Sequence, residues 1–139
     1  MTHDQHPLRA VLETIGPESC PGSLNFHCHT VCSDGSLEPV ALIEQATARK
    51  LRHIAVTDHH SIAAYVPMVE WLERARDQGE TTPTLWSGME ISCILRGCLV
   101  PVLALGFTPG HPALLPYSSG DAAVGAPLKA GEVRKAIHS

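Results

Sequence analysis

The chain has 139 residues, and 10 Lys plus Arg against 14 Asp plus Glu give a formal charge of −4. That length predicts one small domain and excludes a complete parallel α/β barrel, which usually takes ~200 residues or more. Charged residues at 17% and apolar ones at 44% argue against a disordered chain, and the acidic balance argues against a broad basic surface for duplex nucleic acid.

In chain order, the opening MTHDQHPLRA has no apolar signal core, and no apolar run reaches the ~18 residues of a membrane span. A cytoplasmic location without membrane partners is therefore expected. Leu8, Val11, Leu12 and Ile15 recur at helical spacing and predict a short amphipathic helix, broken by Gly16, Pro17, Pro21 and Gly22. Residues 1–22 thus read as an N-terminal helix and linker, and residues 23–139 as the main domain.

Leu24 to His27 predicts a first strand, leading into the polar loop Cys32-Ser33-Asp34-Gly35-Ser36. Ser36 is the expected N-cap of a helix from Leu37 to about Lys50, with Pro39 in its first turn. Val40, Ile43, Ala46 and Ala48 fall near one face of it. Arg52 to Thr57 predicts a second strand, whose run Ile54-Ala55-Val56 suits burial on both faces. Ser61 is the expected cap of a helix reaching about Gln78, with Pro67 as a kink or boundary. Thr84 to Ser92 predicts a third strand, and Arg96-Gly97-Cys98 a hairpin turn after it. Residues 107–125 read as loop and Leu128 to Ser139 as a last helix. Strands alternating with helices indicate an α/β fold with a parallel sheet.

The reactive residues cluster at the predicted strand ends. His27 and His29 are alternate residues of an extended segment, so both rings can reach one metal. Asp34 follows in the loop and can lean back over them. Asp58 and His59 leave the second strand, where ligands gather in parallel sheets, with His60 as a weaker candidate. Asp58 is open to three roles: ligand, support of a ligating His, or helix cap. Glu90 lies in the apolar stretch around Leu85, Trp86, Met89 and Ile91 and needs a compensating partner there. Each cluster has an ordinary alternative when taken singly; together they predict one metal site.

Of the nine His, the remainder include His111 in a Pro-Gly loop and His138 on the last helix. The five cysteines, Cys20, Cys28, Cys32, Cys93 and Cys98, lack the tight pairs of a zinc knuckle. They read as free or buried thiols of a reducing compartment.

Through FHCHTVCSDGSLEP, AVTDHHS and SGMEIS the sequence resembles the PHP (polymerase and histidinol phosphatase) family, and within it the stand-alone phosphoesterases. The resemblance covers roughly Leu24 to Phe107. It implies the N-terminal part of a distorted (β/α)7 barrel, parallel strands followed by a hairpin, with divalent ions (zinc, manganese or iron) in a cleft. It implies that His27 and His29 hold a first ion, that Glu90 bridges the first and second, and that Asp34 and His59 hold a third. Asp58 matches the position beside the ligating His. The implied reaction is hydrolysis of a phosphate ester, with a nucleotide or small phosphomonoester as substrate.

Two departures accompany the resemblance. Pro101 stands where the family places a further metal-binding His, and the family's later motifs, including a closing Asp-x-His, are missing. The expectation is therefore a C-terminally truncated PHP domain. Its alternative to an active phosphoesterase is an impaired fragment, or half of a split barrel that binds metal without turnover. Such a chain would meet a complementing chain or self-associate through an open sheet edge.

Overall fold

A computed structural model describes residues 5–118 and 130–139. The elements are α1 (Pro7–Leu12), β1 (Leu24–Asn25), α2 (Pro39–Ala48), β2 (His53–Ala55), α3 (Tyr65–Asp77), β3 (Thr84–Trp86), β4 (Gly88–Leu95), β5 (Cys98–Leu105) and α4 (Ala130–Ile137). A short 3-10 turn spans Leu115–Tyr117.

β1, β2 and β3 form a parallel sheet in that order, with Leu24 opposite His53 and His53 opposite Thr84. Their helical connections place α2 and α3 together over one face. Ile43 and Ala46 of α2 and Met68 and Leu72 of α3 pack there with Ile54 and Val56 from the β2 segment. Ala55 points the other way and is buried as well, as the continuous apolar run of this strand requires. A partial barrel of the expected α/β class is the result.

Several boundaries differ from the sequence reading. α1 stops at Leu12, leaving Leu12 and Ile15 exposed. Its cap is His6, whose Nδ1 accepts the Leu8 amide. α2 begins after Glu38 rather than Ser36, with Pro39 as its first residue. Its buried positions are Pro39, Ile43 and Ala46, while Ala48 turns to solvent. Three- and four-residue steps stay on one helix face, and Ala48 is five residues from Ile43. Ser61 accepts the Ala63 amide, but α3 starts only at Tyr65. Pro67 lies in its first turn, where a missing N–H costs no helical bond.

The expected third strand is two strands. At Ser87 the chain leaves β2 and becomes the first arm of an antiparallel hairpin, Gly88 pairing with Leu105. Gly88 allows the crossing: a Cβ there would lie 2.5 Å from the Val56 carbonyl oxygen. Arg96 and Gly97, with φ of 50° and 78°, make the two-residue turn, the left-handed pair that matches strand twist. The inner face of the hairpin buries Met89, Ile91, Cys93 and Ala104 against Leu114 and Val133 of α4. Part of the expected 107–125 loop and the start of the expected last helix lie outside the described residues.

Beyond the regular strands the sheet order continues. Thr57 donates its amide to the Cys28 carbonyl, and His59 forms a parallel bridge with Glu90. The segments after β1, after β2 and after β3 therefore run side by side at the C-terminal end of the sheet.

Candidate metal centre

Five of the seven singled-out side chains, His27, His29, Asp34, His59 and Glu90, converge on that end. Glu90, with a side chain only 8% exposed, directs Oε2 to within 3.1 Å of His27 Nε2, 3.0 Å of His29 Nε2 and 3.7 Å of His59 Nδ1. Asp34 leans back from its loop as expected. Its Oδ1 lies 3.2 Å from His29 Nδ1 and its Oδ2 3.2 Å from His59 Nε2. The rings follow one another, with centroids 5.3 Å apart for His27 and His29 and 4.6 Å apart for His29 and His59.

Two groups of ligand atoms result, His27-His29-Glu90 and His29-Asp34-His59, each with all atoms within 4.8 Å of one another. His29 belongs to both. The donor set fits a borderline divalent ion: imidazole nitrogens with a carboxylate oxygen in each group. Among the described residues, every ion-pair partner of Glu90 is a histidine and none is a Lys or Arg. A buried carboxylate facing three imidazoles is the arrangement a cation completes.

Local structure accounts for these positions. His27 and His29 lie two residues apart on the extended chain after β1, and the Asn25 side chain accepts the His27 amide. The loop then turns sharply, the Thr30 carbonyl accepting the amides of Ser33 and Gly35. That turn carries Asp34 back over His29.

Asp58 behaves differently from its neighbours. It is 1% exposed, and its carboxylate accepts the Thr30 amide at 2.7 Å, the Thr30 hydroxyl at 2.6 Å and the Ser33 hydroxyl at 2.7 Å. It belongs to neither ligand group.

His60 is buried rather than on the surface. Its Nε2 accepts the Ser92 amide at 3.1 Å, so Nδ1 carries the proton and donates to the Tyr117 carbonyl at 2.8 Å. It fastens β4 to the loop after β5. Sequence reasoning missed this role, and only the TDHH run placed His60 near the site.

His111 accepts the Ala113 amide inside its own loop and joins no ligand group. Pro101 lies opposite Ser92, diagonal to Glu90 on the same sheet face, and offers no ligand atom. His138 follows α4 and is exposed.

No cysteine enters either group, and all five are free. Burial, then the nearby Asp58 and Cys20, push the Cys28 thiol up to about 12. Burial raises Cys93 as well. Raised pKa values make both poor nucleophiles near neutral pH.

Comparison with known proteins agrees with the geometry. Residues 25–115 match the PHP domain. The 5'-3' exoribonuclease Rnm of Escherichia coli (strain K12) is 30% identical over 93 residues, which are 67% of this chain and 30% of that protein. The 3',5'-nucleoside bisphosphate phosphatase of Chromobacterium violaceum is 33% identical over 66% of this chain and 30% of its own length. Among solved structures, a protein from Bifidobacterium adolescentis described as a metal-dependent phosphoesterase is 31% identical. It superposes with a TM-score of 0.59 over 74% of this chain and 34% of its own. The chain thus spans about a third of the length of the relatives it matches.

Proposed function

Since the chain belongs to the PHP family, we propose that its site serves metal-dependent hydrolysis of a phosphate ester, on a nucleotide, a short oligonucleotide or another small phosphomonoester. The observation that carries this reading is the Glu90 carboxylate, buried and met by three imidazole nitrogens within 3.7 Å. His27, His29 and Glu90 would hold one divalent ion, and Asp34 and His59 another, with His29 between them. Zinc, manganese and iron all suit this nitrogen-and-oxygen set. A bound ion supplies a water of lowered pKa and neutralises phosphoryl oxygens.

The chain's own residues shape the rest. Glu90 places its carboxylate at the floor of the site. His27, with its side chain 54% exposed, and Asp34, 67% exposed, form its rim, where a phosphate can enter from solvent. The names of the relatives favour phosphorylated nucleosides or RNA ends as substrates. Five free thiols suit a reducing cytoplasm. Among the described residues no helix is long and apolar enough to cross a membrane.

The test is phosphate release from an aryl phosphate by the purified chain with added Mn2+. Release by the wild type, abolished in His27→Ala, supports the reading; release that His27→Ala leaves unchanged overturns it.

Pro101 favours a second reading, a PHP segment that binds metal without turnover, alone or with a complementing chain. It occupies the sheet face of Glu90 without a donor atom. Stoichiometric Mn2+ binding with no phosphate release would select it.

A further inference from the structure

We propose that Asp58 is a positioning residue, whose buried carboxylate sets the spacing of His29 and Asp34 by holding the turn between them. The proposal rests on the metal-centre reading above and adds a residue that belongs to neither ligand group.

The turn Thr30–Gly35 is closed by its own bonds. The Thr30 carbonyl accepts the Ser33 amide at 3.1 Å and the Gly35 amide at 2.9 Å, and the Thr30 hydroxyl accepts the Cys32 amide at 3.1 Å. These bonds fix the turn's shape but not its place. Asp58 supplies the place. Its Oδ1 accepts the Thr30 amide and the Ser33 hydroxyl, and its Oδ2 accepts the Thr30 hydroxyl.

Charge-assisted bonds of this length, with both Asp58 and Thr30 almost wholly buried, are strong and leave little play. Three donors satisfy the carboxylate, so it has no need of a metal. The Asp58 carbonyl meanwhile accepts the Glu90 amide at 3.0 Å. One residue thus ties the His29–Asp34 turn by its side chain and Glu90 by its backbone, while His59, next in sequence, points into the site. Loss of the side chain would free the turn and leave the ligand atoms chemically intact.

The experiment measures Mn2+ affinity by calorimetry in wild type, Asp58→Ala, Asp58→Asn, Ser33→Ala and the double variant Ser33→Ala with Asp58→Ala. Amide hydrogen exchange at Thr30 and Gly35 in the metal-free chain is measured alongside. Asp58→Ala should weaken Mn2+ binding about 10- to 100-fold, the usual effect of removing a group that orients ligands. It should also speed exchange at both amides. Asn keeps an oxygen for the Thr30 amide and the Ser33 hydroxyl but sets an NH2 against the Thr30 hydroxyl and loses the charge, so Asp58→Asn should fall between wild type and Asp58→Ala. The Ser33 hydroxyl also lies 3.4 Å from His29 Nδ1 and 3.5 Å from Asp34 Oδ1, so Ser33→Ala should have a smaller effect than Asp58→Ala and should add less in the double variant than it costs alone.

Asp58→Asn as damaging as Asp58→Ala, with Ser33→Ala silent, would make Asp58 a ligand and overturn the proposal. Unchanged affinity and unchanged exchange in Asp58→Ala would overturn it too. If Asp58→Ala does not fold, Ser33→Ala and Thr30→Val remove its two hydroxyl contacts singly, leave the Thr30 amide bond in place, and decide by smaller changes in the same direction. His29→Ala is the control for the site itself. If wild type binds Mn2+ no better than His29→Ala, the metal-centre reading fails, and exchange at Thr30 and Gly35 in the metal-free chain still decides the role of Asp58.

Discussion

His59 and Glu90 face each other in a single parallel bridge, fixed by two backbone bonds of 3.0 Å: the Glu90 amide to the Asp58 carbonyl and the His60 amide to the Glu90 carbonyl. The carboxylate is thus delivered to the histidines by main-chain bonds. Glu90→Gln keeps the shape and removes the charge, so the metal-free variant should unfold within about 1 kcal/mol of wild type. The difference should appear on adding Mn2+. At a hundredfold excess over its dissociation constant the ion should stabilise wild type by about 2.7 kcal/mol and the variant hardly at all. Urea unfolding with and without Mn2+ measures this, and equal stabilisation of both proteins would contradict it.

Gly35 is required for space rather than for an unusual backbone angle. A Cβ there would lie 2.4 Å from the His29 carbonyl oxygen and 2.7 Å from the Thr30 nitrogen, both main-chain atoms that cannot swing aside. Gly35→Ala should cost about 1–3 kcal/mol in unfolding free energy, the range of overpacking, and should weaken Mn2+ binding by displacing His29. Gly16→Ala is the contrast, since nothing lies within 4 Å of its added Cβ. If both substitutions prove equally mild, the steric account fails.

The convergence of these side chains was legible because its logic is local. Alternation puts His27 and His29 on one side, and strand ends place His59 and Glu90 together. The supports were not legible, since their partners are remote in sequence. His60 is bonded to Ser92 and Tyr117, 32 and 57 residues away, and nothing near it signals burial. The break between β3 and β4 depends on Gly88 meeting the Val56 carbonyl and on Ser87 donating to the Phe107 carbonyl. In sequence that stretch reads as one unbroken apolar strand. The role of Asp58 was left open for the same reason: its donors lie 25 and 28 residues upstream.

His53 gives a pH dependence apart from the site. Burial, and secondarily the adjacent Arg52, lower its pKa below the ordinary 6.5, and its Nδ1 accepts the Trp86 indole N–H at 3.2 Å. The folded chain therefore favours the neutral ring. Below about pH 6.5 the unfolded chain takes up a proton that the folded chain resists. This contribution is fully present above that pH and is lost as pH falls from there through the lower pKa of the folded chain. The unfolding free energy of wild type relative to His53→Gln should decline between about pH 7.5 and 5.5. A difference constant over that window would show that His53 titrates alike in both states.

Pro101 bears on association through the hairpin edge. The two-residue turn makes Leu95–Cys98 a hydrogen-bonded pair, so alternate pairs, Ser92–Pro101 and Glu90–Leu103 among them, point their backbone groups away from each other. The outward bonds of Glu90 to Asp58 and His60, and of Ser92 to His60, agree with this phase. The nitrogen of Pro101 therefore faces the outer edge of β5, where no backbone partner is found among the described residues. Leu99, 72% exposed, flanks it on the same side. An apolar eight-residue edge invites pairing with another strand, and a proline at its centre removes the donor such pairing needs. Pro101→Val restores that donor and should shift the chain toward concentration-dependent dimers or larger species in sedimentation velocity, while wild type sediments as a smaller species at the same concentration. Identical sedimentation of the two proteins would show that the edge is protected by something other than the proline.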